Sequence, residues 1–234
     1  MTGGRHVPAC SILLPSMMIA ATPARAQRED EQLWLQVNTN LPVAERVQLT
    51  VEEIARFSDR QDGLYQTELG GLLAYRVAKG VDLGFGYRAV GAHNGNIAAD
   101  ENRLRQQVVA AFGPLTTRFR VDERFSKGGS ETGFRIRPLV RYNHRLDGHG
   151  LALFVSHESF FLPNSTSWGQ RRGYERMRNI VGATLPVRRD ISADVGYLNQ
   201  YRFARNGARA QMDHALTVQL TINLSSHAAV KADD

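Results

Sequence analysis

The sequence predicts an all-β protein, a closed antiparallel up-and-down transmembrane β-barrel of about ten to twelve strands. The first observation is alternation: Leu115, Thr117, Phe119, Val121 and Phe125 share one parity, and Arg118, Arg120, Asp122 and Arg124 share the other. A period of two is the pattern of a strand with one apolar and one charged face. The second is that the pattern recurs along most of the chain. The third is that no segment has the apolar run of a membrane helix, so this chain could cross a bilayer only as a closed barrel.

The N-terminal 26 residues have the features of a secretory signal peptide. A weakly basic start at Arg5 precedes a short apolar core at residues 10–21, and Ala24-Arg25-Ala26 has the small-x-small form of a cleavage site. We therefore expect export and a mature chain that begins at Gln27. The apolar core is too short to span a membrane as a helix.

Charge and cysteine content argue against several classes of protein. The chain has 29 Lys and Arg and 23 Asp and Glu, a net charge of +6, and its charges alternate along predicted strands instead of clustering. This pattern does not favour a nucleic-acid partner. The one cysteine, Cys10, lies in the leader, so the mature chain can form no disulfide or thiolate site. His93, His144, His149 and His214 lack metal-ligand spacing, and we predict no metal and no cofactor.

The predicted strands follow one another in a single barrel domain, residues 27–224, which is followed by a flexible tail at 225–234. They comprise residues 32–39, 47–57, 64–77, 81–90, 101–112, 115–125, 132–146, 151–161, 175–185, 191–203 and 212–224. Eleven segments do not match the even number that is usual in bacterial barrels. We therefore expect either that the first segment lies outside the barrel or that one strand is missed.

Turn residues and prolines delimit these strands in order. Pro42 is expected to end the first strand, and the tight turn at 78–80 joins the third strand to the fourth. In the fourth strand Gly84 and Gly86 face inward, where they leave room for bulky neighbours. Pro138 lies on the outward side of the seventh strand and lacks an N–H, which predicts a local distortion of the ladder.

The last strands and the connections complete the pattern. Residues 212–224 show the cleanest alternation, with Leu216, Val218, Leu220 and Ile222 on one face. Connections between strands alternate between short turns and longer polar loops, and the tyrosines lie largely near strand ends. Short periplasmic turns, long outside loops and aromatic girdles are typical of outer-membrane barrels. We therefore expect a location in the outer membrane of a Gram-negative bacterium.

Short motifs in a fixed order extend over nearly the whole mature chain. They are Glu52 to Arg56, Glu68, Gly86-Tyr87-Arg88, Glu101-Asn102-Arg103, Arg118-Phe119-Arg120-Val121-Asp122-Glu123-Arg124, Arg135-Ile136-Arg137, His157-Glu158-Ser159-Phe160, Arg176 to Arg178 and Gly196-Tyr197-Leu198-Asn199-Gln200. Together they resemble the DUF2490 family of predicted outer-membrane β-barrel proteins, which has no assigned activity. The resemblance implies the barrel and its location and supplies no catalytic residues.

Charged side chains at inward positions are the candidate lining of the lumen. They are Glu52, Arg56, Glu68, Arg88, Glu101, Arg103, Arg105, Arg118, Arg120, Asp122, Arg124, Arg135, Arg137, Arg141, Glu158, Arg176, Arg178 and Asp194. The arginines could attract anions into a narrow pore. Alternatively, arginines and carboxylates pair across a small lumen and occlude it. We favour the second interpretation.

The segment His157-Glu158-Ser159 suggests hydrolase chemistry. His157 and Ser159 share the outward parity, toward lipid, whereas Glu158 points to the opposite face. These three residues therefore cannot form a local triad, and an acid distant in sequence would have to complete one.

Three functions remain open at this point. The favoured one is an outer-membrane barrel that acts as a narrow pore or as a structural component. The first alternative is an outer-membrane enzyme that acts on lipids through His157 and Ser159. The second is a soluble, lipocalin-like periplasmic barrel, which would require an apolar interior. The expected partners are outer-membrane lipid and, during biogenesis, the barrel-assembly machinery; the sequence specifies no substrate.

Overall fold

Alternating side chains form eleven strands in the part of the chain that the computed structural model describes, residues 27–96, 100–146, 150–205 and 207–224. The strands are β1 (Arg28–Ala44), β2 (Val47–Ser58), β3 (Gly63–Ala78), β4 (Val81–Ala92), β5 (Glu101–Phe112), β6 (Leu115–Ser126), β7 (Thr132–Arg145), β8 (Ala152–Leu162), β9 (Gly173–Pro186), β10 (Ile191–Arg202) and β11 (Gln211–Asn223). The predicted signal peptide, 1–26, and the predicted tail, 225–234, lie outside the described residues.

Each strand pairs with its neighbours in sequence, and β1 pairs with β11 to close the barrel. The consecutive pairs are antiparallel, whereas β1 and β11 are parallel, with Arg28 opposite Gln211 and Asn40 opposite Asn223. Up-and-down strands alternate in direction, so an odd number leaves the first and last strands pointing the same way. The predicted closed all-β barrel is confirmed. The expectation of an even number was wrong, because residues 32–39 belong to the barrel and the described residues contain no further strand.

Two prolines lie within strands, with different consequences. Pro42 does not end β1, which continues to Ala44 with a register shift between Pro42 and Ala44. Pairing of β1 with β11 ends at Asn40, so Pro42 lies at an edge, where a missing N–H is tolerated. In β7 the ladder to β8 pairs Ile136 with Phe161 and resumes with Leu139 and Glu158. The interruption at residues 137–138 is the distortion that Pro138 predicts.

The connections divide the barrel into two different ends. Residues 45–46, 79–80, 113–114, 146–151 and 187–190 connect strands at what we call the short-turn end, and residues 59–62, 93–100, 127–131, 163–172 and 203–210 at the long-loop end. The predicted alternation in connection length holds for most connections, although the short-turn connection 146–151 is longer than the long-loop connection 59–62. Because the strand number is odd, β1 starts at the long-loop end and β11 finishes at the short-turn end.

The two faces of the sheet differ sharply in chemistry. Outward side chains are mostly apolar and exposed: Phe85 is 56 % exposed, Val155 53 % and Val181 58 %. Inward side chains are mostly charged and buried, and Arg105 and Asp122 are each 0 % exposed. A small apolar cluster of Trp34, Leu198 and Ala215, with Ile180 packed against it, lies among them. Among the described residues, no helix has the length and apolarity to cross a membrane.

Candidate functional site

The predicted lumen residues lie on the inward face of the strands. Of the eighteen, eleven are buried and the other seven are half-buried. Their ion pairs join strands that are far apart in sequence: Arg118 on β6 contacts Glu158 on β8, and Arg105 on β5 contacts Glu52 on β2. Because these side chains reach across from several strands, they fill the interior with charge pairs.

Glu158 is the centre of one half of this interior network. Its carboxylate lies 2.5 Å from Nη2 of Arg118, 2.9 Å from Nη2 of Arg137 and 3.3 Å from Nη1 of Arg178. Arg137 also contacts the fully buried Asp122 at 3.3 Å, and Asp122 binds Arg135 at 2.7 Å. Arg137 therefore links the two carboxylates, and the removal of any one partner leaves a buried charge with fewer counter-charges.

Glu68 and Glu52 organise the other half. Glu68 lies 2.9 Å from Arg56 and 2.6 Å from Arg88, and Arg88 also lies 2.9 Å from Glu52. Each guanidinium offers five N–H donors in a planar fork, so one arginine can bind two carboxylates at once. This geometry explains why arginine, with few lysines, supplies the interior cations.

Aromatic rings make cation–π contacts with some of these arginines. The ring of Trp34 has the guanidinium of Arg56 4.1 Å from its centroid and that of Arg178 4.6 Å away. The ring of Phe160 lies 4.8 Å from Arg137 and 5.0 Å from Arg178. Cation–π contacts of this kind strengthen when water is excluded, so the rings stabilise arginines that carboxylates bind only in part.

Two interior cavities share four lining arginines. One cavity has a volume of about 350 Å³ and the other about 180 Å³. Arg56, Arg88, Arg137 and Arg178 line both, and we call these four residues the arginine layer. Ion pairs with Glu52, Glu68 and Glu158 hold the arginine layer inside the lumen.

A loop narrows the lumen at the long-loop end. In the loop 163–172, the buried Gln170 accepts a hydrogen bond from Nη1 of Arg124 at 2.8 Å and donates one to the carbonyl of Phe134 at 3.1 Å. Trp168 donates its indole N–H to the carbonyl of Glu131 at 2.7 Å. A Cβ on Gly133 would lie 2.6 Å from both the Gln170 and the Trp168 side chains. The loop therefore packs closely against β7 at a position where only glycine leaves enough space.

Sequence reasoning missed three interior carboxylates, Asp30, Glu175 and Asp213; Asp30 is buried and accepts hydrogen bonds from Ser58, and it precedes the first predicted strand. Asp213 is fully buried, accepts a hydrogen bond from Nε2 of Gln200 at 2.5 Å and pairs with Arg202 at 3.1 Å. Asp213 has the same parity as the inward Thr217 and Gln219, so alternation along this strand could have identified it as an inward residue. Glu175 contacts Arg176 at 2.5 Å at an irregular point of β9, and alternation gives no signal there.

A second cluster lies on the outward face of β8 and β9. Nε2 of His157 lies 3.0 Å from Oγ of Ser159, and Nδ1 of His157 lies 2.8 Å from Oδ1 of Asn179. Oγ of Ser159 also lies 3.0 Å from the hydroxyl of Tyr174. Glu158 points inward, as predicted, so the residue distant in sequence that contacts His157 is an amide, Asn179.

The described residues contain no group of three or more His, Cys, Asp or Glu side chains that could hold a metal ion. The outward histidines instead bond to hydroxyl groups. His93 lies 2.7 Å from Oγ1 of Thr67, and His214 lies 2.5 Å from the hydroxyl of Tyr197. The chemistry that these outward residues offer is therefore that of paired hydroxyl and imidazole groups.

Comparison with known proteins supports the resemblance found in the motifs. A family model described as "Protein of unknown function (DUF2490)" matches residues 31–211. An uncharacterized protein from Methylorubrum extorquens is 31% identical over 231 residues, which cover 90% of this chain and 96% of that protein. Neither description names an activity, so a function has to be argued from the geometry of the barrel.

Proposed function

The chain belongs to the DUF2490 family, and we propose that it is an integral β-barrel of the outer membrane whose lumen is closed by its own ion pairs. The observation that carries this proposal is the distribution of side chains between the two faces. The outward wall is mostly apolar and exposed, whereas most charges of the strands face inward and bind one another. A bilayer suits such a wall, because the hydrophobic effect favours the removal of large apolar side chains from water.

The dimensions of the barrel support the same proposal. Most strands have 11 to 14 residues. At about 3.3 Å per residue and a tilt of about 40°, a 12-residue strand covers about 30 Å, the thickness of the hydrocarbon core. The closed ladder also leaves no open sheet edge, which lipid would not tolerate.

The interior favours a closed barrel over a pore. The arginine layer lines both interior cavities and is held by buried carboxylates, and Gln170 of the loop 163–172 bonds to the inward Arg124 at the long-loop end. A solute would have to break several buried ion pairs to pass, and each such break is costly. Of the two forms of the membrane hypothesis, a structural component therefore has more support than a narrow pore.

The soluble, lipocalin-like alternative has less support. A barrel that binds an apolar ligand in water needs an apolar interior and a polar exterior. Here the smaller cavity is lined by charged groups such as Glu68, Glu101 and Arg103, and the exterior carries Phe85, Phe119 and Val155. The faces are thus the reverse of those that a soluble carrier needs.

Location and biogenesis follow within the same proposal. The N-terminal leader would direct export from the cytoplasm of a Gram-negative cell, and the barrel-assembly machinery would insert the mature chain. By the usual asymmetry of such barrels, the short-turn end faces the periplasm and the long-loop end the outside. Outer-membrane lipid is then the partner that covers the wall.

Site-specific labelling tests membrane insertion directly. A mature protein from residue 27 onward contains no cysteine, so Val155→Cys, Val181→Cys and, as a loop control, Ser130→Cys each carry one environment-sensitive dye. After refolding into phospholipid vesicles, the dye at 155 and 181 should fluoresce as in an apolar medium and be quenched by lipid-attached quenchers. The dye at 130 should be quenched by aqueous iodide. Equal quenching by iodide at all three positions would overturn the proposal.

A further inference from the structure

We propose that Ser159, His157 and Asn179 form a nucleophilic triad on the outer wall that hydrolyses ester-linked acyl lipids. The site is separate from the ion pairs of the lumen. Its choice of substrate rests on the proposed membrane location, because only in a bilayer does this wall meet acyl chains. The geometry of the triad itself does not depend on that location.

The bonds of His157 assign a role to each member. Oδ1 of Asn179 accepts from Nδ1 of His157 at 2.8 Å, which fixes the proton on Nδ1. Nε2 then carries the lone pair, and it lies 3.0 Å from Oγ of Ser159. This separation is within reach for a general base that takes the serine proton. Ser159 is therefore the nucleophile, His157 the base and Asn179 the residue that orients the imidazole.

Strand register brings these residues together. His157 and Ser159 are two residues apart on β8 and so share one face, and Asn179 lies directly opposite His157 on β9. The strands hold the three side chains on a rigid wall, which is the kind of support that a catalytic geometry needs.

A β-bulge adds a fourth group. Between the pairs Phe160–Arg176 and Phe161–Tyr174, β8 advances by one residue and β9 by two, so Glu175 is an extra residue in β9. Without this insertion, Tyr174 would face inward with Arg176; with it, Tyr174 faces outward. Its hydroxyl lies 3.0 Å from Oγ of Ser159. From there it can donate to the oxyanion that forms when Ser159 attacks a carbonyl.

The surroundings specify a lipid ester. Tyr174 belongs to an aromatic cluster at the long-loop end, 4.7 Å from Phe161 and 4.9 Å from Phe203 between ring centroids. Such clusters mark the level of the membrane interface. Ser159 lies two residues below Phe161, or about 7 Å along the strand, which is the region where headgroup and acyl chain are joined. Exposed Val155 and Val181 extend the wall for the acyl chain.

A neutral triad suits this setting. A carboxylate in place of Asn179 would carry a charge on the lipid-facing wall, which is costly, whereas an amide orients the imidazole without that charge. Catalytic arrangements in which asparagine takes the place of aspartate occur on other folds. The outward pairs His93–Thr67 and His214–Tyr197 use one ring nitrogen each, whereas His157 bonds through both.

The reaction is balanced with water as the second substrate. Ser159 Oγ bonds to the ester carbonyl carbon while Nε2 of His157 takes its proton, and the carbonyl π electrons move to the oxygen that Tyr174 faces. The intermediate collapses, the ester C–O bond breaks, and the leaving alcohol takes the proton from His157. Water then attacks the acyl-serine, again with His157 as base, and releases a carboxylic acid and free Ser159. The sum is ester plus water to acid plus alcohol.

The test uses the refolded mature protein in mixed micelles of a nonionic detergent and diacyl phosphatidylcholine. Fatty-acid release is measured for the wild type and for Ser159→Ala, His157→Ala, Asn179→Ala and Tyr174→Phe. We expect release by the wild type, a loss of at least about 1,000-fold in the first two variants, and losses of about 10- to 100-fold in the last two. A serine-directed fluorophosphonate should label the wild type at Ser159, and Asn179→Ala should shift the pH profile of kcat, which a merely structural role would not move.

His214→Ala is the matched control, because His214 is also an outward histidine bonded to a hydroxyl group. It should keep full activity. Heat-modifiable migration on gels reports folding of each variant separately. A folded wild type that releases no fatty acid, or a Ser159→Ala variant as active as the wild type, would overturn the triad while the membrane proposal stands. A chain that is soluble and does not enter micelles would overturn both.

Discussion

The substitution Asp122→Asn tests whether the interior ion pairs stabilise the barrel. Asp122 is 0 % exposed and accepts two hydrogen bonds from Arg135, from Nε at 3.0 Å and from Nη2 at 2.7 Å. Asparagine has nearly the same shape but removes the negative charge that faces Arg135 and Arg137. Arg137 keeps its contact with Glu158 at 2.9 Å. Arg135 therefore loses its carboxylate partner, whereas Arg137 keeps one.

The expected magnitude follows from burial and from the partners that remain. Removal of one member of a buried ion pair costs about 3–5 kcal/mol. Because Arg137 keeps its pair with Glu158, we expect Asp122→Asn to lower the free energy of unfolding by about 3 kcal/mol, near the lower end of that range. With a urea slope of about 2 kcal/mol per molar, the unfolding midpoint should fall by about 1.5 M. Tryptophan fluorescence of the barrel in phospholipid vesicles can follow this transition.

Asp82→Asn provides a control with the same chemistry. Asp82 also binds an arginine through two bonds, from Nε of Arg76 at 2.8 Å and from Nη2 at 3.1 Å, but that arginine is 60 % exposed at the short-turn end. Solvent screens this pair, so the midpoint should hardly move. If the midpoints of the two variants fall equally, or if Asp122→Asn is as stable as the wild type, the interior pairs do not stabilise the barrel in the way argued.

Two further predictions concern backbone packing and topology. A Cβ at the inward Gly86 would collide with the carbonyl oxygen of Gly71 and lie 2.9 Å from Cδ1 of Leu72, whereas a Cβ at the outward Gly71 has its nearest neighbour at 3.8 Å. Gly86→Ala should therefore lower the refolding yield, measured by heat-modifiable migration, and Gly71→Ala should not; similar yields would refute the close approach. The parallel pair β1–β11 puts the start of β1 and the end of β11 at opposite ends of the barrel. Epitope tags before Gln27 of the mature chain and in the loop 163–172 should thus be accessible from the same side of a vesicle, and a C-terminal tag from the other; all three on one side would contradict the odd strand number.

Local alternation predicted the strands and their faces, because the period of two depends only on neighbouring residues. The inward positions of Glu158, Arg137 and Asp122 follow from it directly. The ion-pair partners do not follow from alternation. Arg105 and Glu52, for example, are 53 residues apart in sequence and meet only in the folded barrel. The expectation of an even strand number was wrong, although eleven segments were visible in the sequence, and the parallel pairing of β1 with β11 was not predicted.

The outward cluster shows where alternation stops being sufficient. Parity placed His157 and Ser159 together and excluded Glu158, but the register that brings Asn179 opposite His157 depends on how β8 pairs with β9. The bulge at Glu175 reverses the parity of Tyr174, and no residue pattern marks it. The expected residue was an acid, whereas Asn179 contacts His157, and an amide oxygen can orient an imidazole as well.

The most direct measurement of the central claim is the conductance of planar bilayers containing the refolded mature protein. Heat-modifiable migration of the same preparation shows that the barrel is folded and inserted. If the ion pairs of the arginine layer close the lumen as proposed, the wild type should show no discrete current steps across a range of voltages. Reproducible single-channel steps, above all with a preference for anions, would contradict a closed lumen and assign the interior arginines to conduction.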